Sequence, residues 1–188
     1  MREIIKQVVY PYTKDLEAGH DFCHLERVDA IAQQLKKGLI VDDDYLLLLI
    51  YLHDIEDHKL KLNVKVKDLL DELKIDEITK AKVLSEIFDL SFSRYKTKDN
   101  LSIEAQIVSD ADRIDAMGAI GVARAFSYGA INNRKFYGND STIKHFEEKL
   151  LVLDQYLYLD ESRRIAKPRM EFLKQFYQEF MSEIQAEC

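Results

Sequence analysis

Cysteine, proline and glycine are all scarce in this chain of 188 residues, at 2, 2 and 6. Two cysteines, Cys23 and Cys188, cannot build a disulfide framework, which excludes the small stapled folds of secreted proteins. So little glycine and proline excludes an all-β fold, which needs a turn about every 10 residues. No long hydrophobic run occurs either. The longest, Tyr45 to Leu52, falls well short of the ~18 residues that suggest a membrane span. Basic residues are outnumbered 27 to 34, for a net charge of −7. That field disfavours a nucleic-acid duplex or an anionic membrane as partner, though a local basic pocket remains compatible with it. The opening Met1-Arg2-Glu3-Ile4-Ile5-Lys6 brings in acid and base too soon for the apolar stretch of a signal peptide. A cytoplasmic location is therefore expected.

The chain is instead rich in hydrophobic (47%) and charged (32%) residues, the mixture of an ordinary folded protein. Area scaling lets about 70% of the unfolded surface be buried, enough for a core without staples. The periodicity is helical nearly throughout. Phe22 to Lys37 sets Leu25, Val28, Ile31, Ala32 and Leu35 three and four residues apart, with Asp21 as N-cap and Gly38 at the end. Asp42-Asp43-Asp44 supplies caps for a helix over Tyr45–Ile55 that is apolar on every side and so belongs at the centre of the fold. Further helices are predicted at about Lys65–Leu73, Ile78–Asp89, Ile103–Tyr128, Ser141–Leu153 and Asp160–Ala186. Pro168 should kink or break the last of these. Residues 129–140 form the long loop rich in turn formers. The expected fold is all-α, a single-domain helical bundle over 1–188. Its core would occupy about 18–128, with C-terminal helices at about 141–186 packed back on it.

Three polar clusters lie where this pattern calls for burial. His53-Asp54-Ile55-Glu56-Asp57-His58 directly follows the most apolar helix. Carboxylates there are costly unless paired or bound to a metal. On a helix, Asp57 would share a side with His53 and Asp54. An acidic helix end at the surface accounts for the same residues. In the second cluster Asp110, Asp112, Arg113 and Asp115 interrupt Ile, Val, Ala and Met, and the small Ala116, Gly118, Ala119 and Gly121 allow close helix approach. An internal ion pair of Arg113 with Asp110 or Asp115 is the structural alternative, and it leaves Asp112 for another use. The third cluster holds His20, Asp21, Cys23, His24 and Arg27. His24 alone could be a structural histidine, and Cys23 reads as a small core hydrophobe. As a set, His24, His53, Asp54 and Asp112 offer two imidazoles and two carboxylates. That mixture suits one divalent ion with positions left for water and a substrate oxygen, and it is not a closed, cysteine-rich structural zinc site.

The order of these residues resembles the HD-domain metal-dependent phosphohydrolases: a His on one helix, a His-Asp doublet ending a buried helix, and a distant Asp on a later one. Here the three are His24 in His-Leu-Glu-Arg-Val, His53-Asp54 after Leu-Leu-Leu-Ile-Tyr-Leu, and Asp112 in Asp-Ala-Asp-Arg-Ile-Asp-Ala. The chain looks closest to a small bacterial single-domain branch. That likeness runs on through Asp112–Gly129, Ile143–Leu150 and Arg163–Ala166, spanning about residues 18–180. The resemblance implies that His24, His53, Asp54 and Asp112 ligate one divalent ion, without distinguishing Mn, Fe, Mg, Ni or Zn. Asp110 is the rival for the last place. Asp112 is preferred because the family's ligand usually lies three residues before a second small or polar residue, here Asp115. Asp57 stands three after Asp54, where related hydrolases carry an acid that positions or deprotonates the attacking water. One departure is plain. Where this branch often has a His-Ser pair, the chain has Asp89-Leu90-Ser91-Phe92-Ser93, and Leu90 can neither ligate nor relay a proton. This counts against a second metal.

The expected activity is metal-assisted hydrolysis of a small phosphorylated substrate, with a nucleotide among the candidates. Asp57 is the candidate base or water orienter. Arg27 and Arg113 are candidate phosphate contacts, or else partners of a ligand carboxylate. His20, His58 and Lys59 are weaker candidates near helix ends. Arg163, Arg164, Lys167 and Arg169 could form a phosphate rim or a solvated helix face, and Arg94, Tyr95 and Lys96 invite the same two readings. Phe126, Tyr128, Phe136 and Tyr137 could stack on a base or simply pack. A homodimer is compatible with all of this. The competing class is a helical binding or regulatory module whose metal is structural or vestigial. A two-iron oxygenase of this fold needs more histidines than His58 between the doublet and the last Asp.

Overall fold

The computed structural model describes residues 1–16, 19–57, 60, 62–90 and 99–187, with residues 186 and 187 described by backbone alone. Nine α-helices and no β-strand occur among the described residues. They are α1 (Arg2–Thr13), α2 (Phe22–Leu35), α3 (Asp43–Leu52), α4 (Val66–Glu72), α5 (Glu77–Glu86), α6 (Ile103–Asp115), α7 (Gly118–Ile131), α8 (Thr142–Glu148) and α9 (Asp160–Glu187). A 3-10 turn (Ile87–Asp89) follows α5, and a 3-10 run (Leu150–Tyr156) follows α8. Capping side chains start several helices where the sequence offers them. Asp21 accepts from the His24 backbone N–H at the head of α2. Asp42 accepts from Asp44 and Tyr45 at α3, Asp76 from Ile78 and Thr79 at α5, and Ser141 from Lys144 at α8.

The chain divides into two units, Met1–Ala111 and Asp112–Cys188, and the division falls inside α6. In the first unit α3 is the central element: every residue from Tyr45 to Leu52 is buried, as the all-round apolar pattern requires. Helices α1, α2 and α5 pack against it, and α4 packs on α5 and α1. Each buried Leu or Ile of α3 contributes about 1.5–3 kcal/mol of transfer free energy. In the second unit α7 lies along α9, and α8 and the 3-10 run fill in beside them. Phe126 sits amid the rings of Phe136, Phe146, Phe176 and Phe180, with centroids 5.4–5.9 Å away.

Several boundaries differ from the sequence reading. Helix α1 is an element beyond those the sequence pattern predicts; Ile5, Val9 and Thr13 fall four apart and form its buried stripe. The helix expected to reach Ile55 stops at Leu52, and residues 53–56 are turns. The single helix expected over Ile103–Tyr128 is two helices, because Gly118 adopts φ +72°, a left-handed conformation that a helix interior cannot hold. Pro168 does not break α9, which runs unbroken from Asp160 to Glu187. Burial of Ala166, Met170 and Leu173 on the flank of α9 outweighs the local cost of the missing N–H, about 3 kcal/mol. Cys23 is exposed, not in the core. The inward face of α2 is taken by His24, Leu25 and Val28 instead.

Candidate metal centre

His24 stands in the first turn of α2, and its backbone N–H is the group that the Asp21 carboxylate caps at 2.9 Å. Its ring is wholly buried. His53 follows the last residue of α3, and its backbone N–H still bonds the Leu49 carbonyl. His53 Nδ1 lies 2.8 Å from the Ile50 carbonyl oxygen. A carbonyl only accepts, so Nδ1 carries the hydrogen, and whenever the ring is neutral Nε2 is the atom that presents a lone pair. That Nε2 is buried and finds no hydrogen-bond partner among the described residues.

Asp54 faces both rings. Its Oδ1 is 3.4 Å from His53 Nε2 and its Oδ2 is 3.5 Å from His24 Nε2. The two ring centroids are 5.5 Å apart and near perpendicular. Two acceptors, His53 Nε2 and an ionised Asp54 oxygen, do not tolerate such an approach without a proton or a cation between them. Burial by itself would raise the Asp54 carboxyl. The imidazoles of His53, His24 and His20 outweigh it and hold the group far below the usual carboxylate range. An anionic oxygen, a buried imidazole lone pair and a second imidazole therefore converge, which is the donor chemistry of a borderline divalent ion.

Helix α6 carries Asp112 one residue past Ala111. One ligand atom from each of His24, His53 and Asp112 lies within 4.8 Å of the others, and these three form a group that can hold a metal ion among the described residues. Asp110 is fully buried and is not in that group. The helix pattern thus separates two carboxylates that are only two positions apart in sequence. His24, His53 and Asp112 fit a divalent ion, whereas Asp54, the fourth expected ligand, is not in that group although it faces both imidazoles.

The remaining candidates are placed as follows. Asp57 is half-buried in the turn after α3, its backbone N–H bonded to the Asp54 carbonyl at 3.0 Å. Its kinship to Asp54 is that of a turn, not of the expected helix face. Arg27 lies one turn beyond His24 on α2 and is half-buried. Arg113 is buried; its Nη1 donates to the Tyr156 carbonyl at 2.6 Å and its guanidinium lies over the Tyr158 ring. Arg163 and Arg164 pair on α9 with Asp160 and Glu161, three residues earlier. Arg169 donates to the Ile114 carbonyl. Phe126 and Phe136 pack in the aromatic cluster. Leu90 is buried as a core residue. His58, Lys59, Ser91, Phe92, Ser93, Arg94, Tyr95, Lys96 and Cys188 lie outside the described residues.

Two features were not found by sequence reasoning. One is the Ile50 carbonyl, which sets the His53 tautomer and which no side-chain pattern encodes. The other is Arg124, whose Nη1 pairs with the buried Asp115 at 2.7 Å. That pairing spans nine residues and a helix break, so spacing rules for one helix could not reach it. His20, a weak candidate from sequence, stands with its ring 6.3 Å from that of His24 and adds to the positive field on Asp54.

No family model matches the sequence. The chain is 34% identical to YpgQ of Bacillus subtilis over 97% of its own length and 93% of that protein's. Among solved structures, YpgQ in complex with ADP superposes with a TM-score of 0.82 at 30% identity, covering 98% of each chain. A Lactobacillus plantarum protein reaches a TM-score of 0.88 at 27% identity, over 98% of this chain and 96% of that one. An HD-superfamily hydrolase from Bacillus thuringiensis gives a TM-score of 0.71 at 31% identity, covering 98% of each chain. These neighbours and the His-His-Asp group together support a metal-dependent hydrolase. With an all-α fold shared over nearly its whole length and the ordered His, His-Asp and Asp residues in place, the chain belongs to the HD-domain superfamily, in the small branch that includes YpgQ.

Proposed function

We propose that this protein is a metal-dependent phosphohydrolase that cleaves a small phosphate ester, with a nucleotide as the favoured substrate. The observation that carries the reading is the state of His53: its Nδ1–H is spent on the Ile50 carbonyl, and its buried Nε2 faces Asp54 with no hydrogen-bond partner among the described residues. Such an arrangement is the usual orientation of a metal-ligating imidazole. His24, His53, Asp54 and Asp112 would hold the ion. When bound there, a divalent ion neutralises charge on a phosphoryl oxygen and makes water acidic enough to attack near neutral pH. Asp57 is assigned to orient or deprotonate that water, since it follows Asp54 by one turn. Arg27 is assigned to the substrate phosphate. Arg113 anchors the Tyr156–Tyr158 segment and is assigned no contact with substrate. The nucleotide preference rests on the ADP found with YpgQ.

The test measures two quantities on purified protein: metal content, and phosphate release from a nucleotide panel with Mn²⁺ added. Wild type is expected to hold one ion per chain and turn over. His53→Ala should lose both while keeping its helical signal, and Asp57→Ala should keep the metal and lose turnover. Metal retained in wild type with no hydrolysis of any phosphate ester would sink the enzyme reading and favour a binding module.

A further inference from the structure

His24 lies on α2, His53 directly follows α3, and these two helices pack against each other. A directional link crosses that contact. Tyr51 on α3 is fully buried, and its hydroxyl donates to Asp29 Oδ2 on α2 at 2.9 Å. Asp29 is itself buried; its Oδ1 accepts from Gln33 Nε2 at 2.9 Å, and its Oδ2 also pairs with the Arg2 guanidinium of α1. The Tyr51 ring is held in turn by Phe22, with centroids 6.2 Å apart, and by the Lys6 ammonium 6.0 Å from its centre. A buried carboxylate that is both ion-paired and hydrogen-bonded accepts few alternative geometries. Asp29 lies five residues beyond His24, about 7.5 Å along α2, and Tyr51 lies two residues before His53.

We infer that the Tyr51–Asp29 hydrogen bond, braced by Arg2, is a positioning device that fixes the axial register of α2 against α3 and so sets the spacing of the His24 and His53 imidazoles. This inference rests on the metal-centre reading. Both act at a distance from the ion and the substrate: Asp29 through His24 on α2, and Tyr51 through His53, which directly follows α3. Partners that orient ligands in this way typically change metal affinity about 10- to 100-fold when removed.

The test loads the full-length protein with Co²⁺, whose visible d–d absorption reports ligand geometry. Tyr51→Phe keeps the ring and removes the hydroxyl. It should weaken Co²⁺ binding about tenfold or more and shift the absorption bands. Tyr45→Phe is the matched control: the same helix, the same substitution, and the loss of a hydroxyl that donates to Glu86 at 2.7 Å. It should leave affinity and spectrum at wild-type values. Equal loss in both variants would reduce the effect to general loosening of α3 and overturn the inference, as would no change in Tyr51→Phe. Asp29→Asn covers the case in which Tyr51→Phe does not fold. Its amide oxygen still accepts from Tyr51 but no longer carries the charge that pairs with Arg2, so a weaker Co²⁺ affinity than wild type is expected, and wild-type affinity and spectrum there overturn the inference. His53→Ala separates the two readings. If it binds Co²⁺ as wild type does, the metal centre itself is wrong. If it loses Co²⁺ while Tyr51→Phe matches wild type, only the positioning role fails.

Discussion

At the scale of single residues, side-chain size is tightly constrained at Gly129. A Cβ there would come within 2.0 Å of Thr142 Oγ1, closer than any real contact. Helix α7 therefore meets the start of α8 through a bare backbone. Gly129→Ala should destabilise the protein by about 1–3 kcal/mol, the range for overpacking, read as a lower urea midpoint. Combining it with Thr142→Ala should recover part of the loss, since residues in contact are not additive. The doublet at the candidate site was legible in sequence because charge is expensive inside an apolar pattern: His53-Asp54 stands out against eight preceding apolar residues. The close approach at Gly129 was not legible. A glycine at the edge of a turn-rich loop reads as a turn former, and only the path of α8 shows that it is a contact.

At the scale of elements, starts were easier to read than ends. Asp21 and Asp42 cap where the sequence puts them, because a cap is a local bond within three residues. The stop of α3 at Leu52, the break at Gly118 and the continuity through Pro168 depend on packing, so local pattern misjudged them. The cap of α2 has a functional edge, since its acceptor, the Asp21 carboxylate, holds the backbone N–H of His24 itself. Asp21→Ala should cost about 1 kcal/mol of stability and also weaken metal binding, whereas Asp76→Ala at α5 should cost a similar amount and leave metal binding unchanged. Parallel urea melts and metal titrations would show it. Helices α4 and α5 are joined by Asp71, whose carboxylate bonds Lys67 at 2.7 Å and Lys80 at 2.5 Å. Those bonds, Lys67 first, push its pKa down to about 2. The folded value lies below the ordinary carboxylate value of ~3.9. The contribution is therefore present above that value and fades as pH falls toward 2. Acid melts should show the gap between wild type and Asp71→Asn narrowing over that interval, and a constant gap would refute the pairing.

At the scale of the whole chain, a protein of net charge −7 has no long-range attraction for a phosphorylated substrate. Local charge must supply it, and the proposed ion is the strongest local source. An ion that binds the folded state alone stabilises it by about 2.7 kcal/mol at 100 times its dissociation constant. Mn²⁺ should therefore raise the melting temperature of wild type by several degrees and leave His53→Ala unmoved. Because the ligands must be deprotonated, the rise should shrink as pH falls; scanning calorimetry with and without chelator measures both. The all-α class was legible from the scarcity of glycine and proline together with the helical periodicity. The helix count was not, because two helices joined at a left-handed glycine share one continuous apolar pattern. Among the described residues, no helix is long and apolar enough to cross a membrane.

The total enclosure of α3 bears on motion as well as on stability. From Tyr45 to Leu52 this helix has no face toward solvent and cannot open alone; its amide protons there are expected to exchange only when the surrounding unit comes apart. The His-Asp doublet grows directly from the end of that helix, so the groups expected to grip the ion begin at the slowest-exchanging backbone of the first unit.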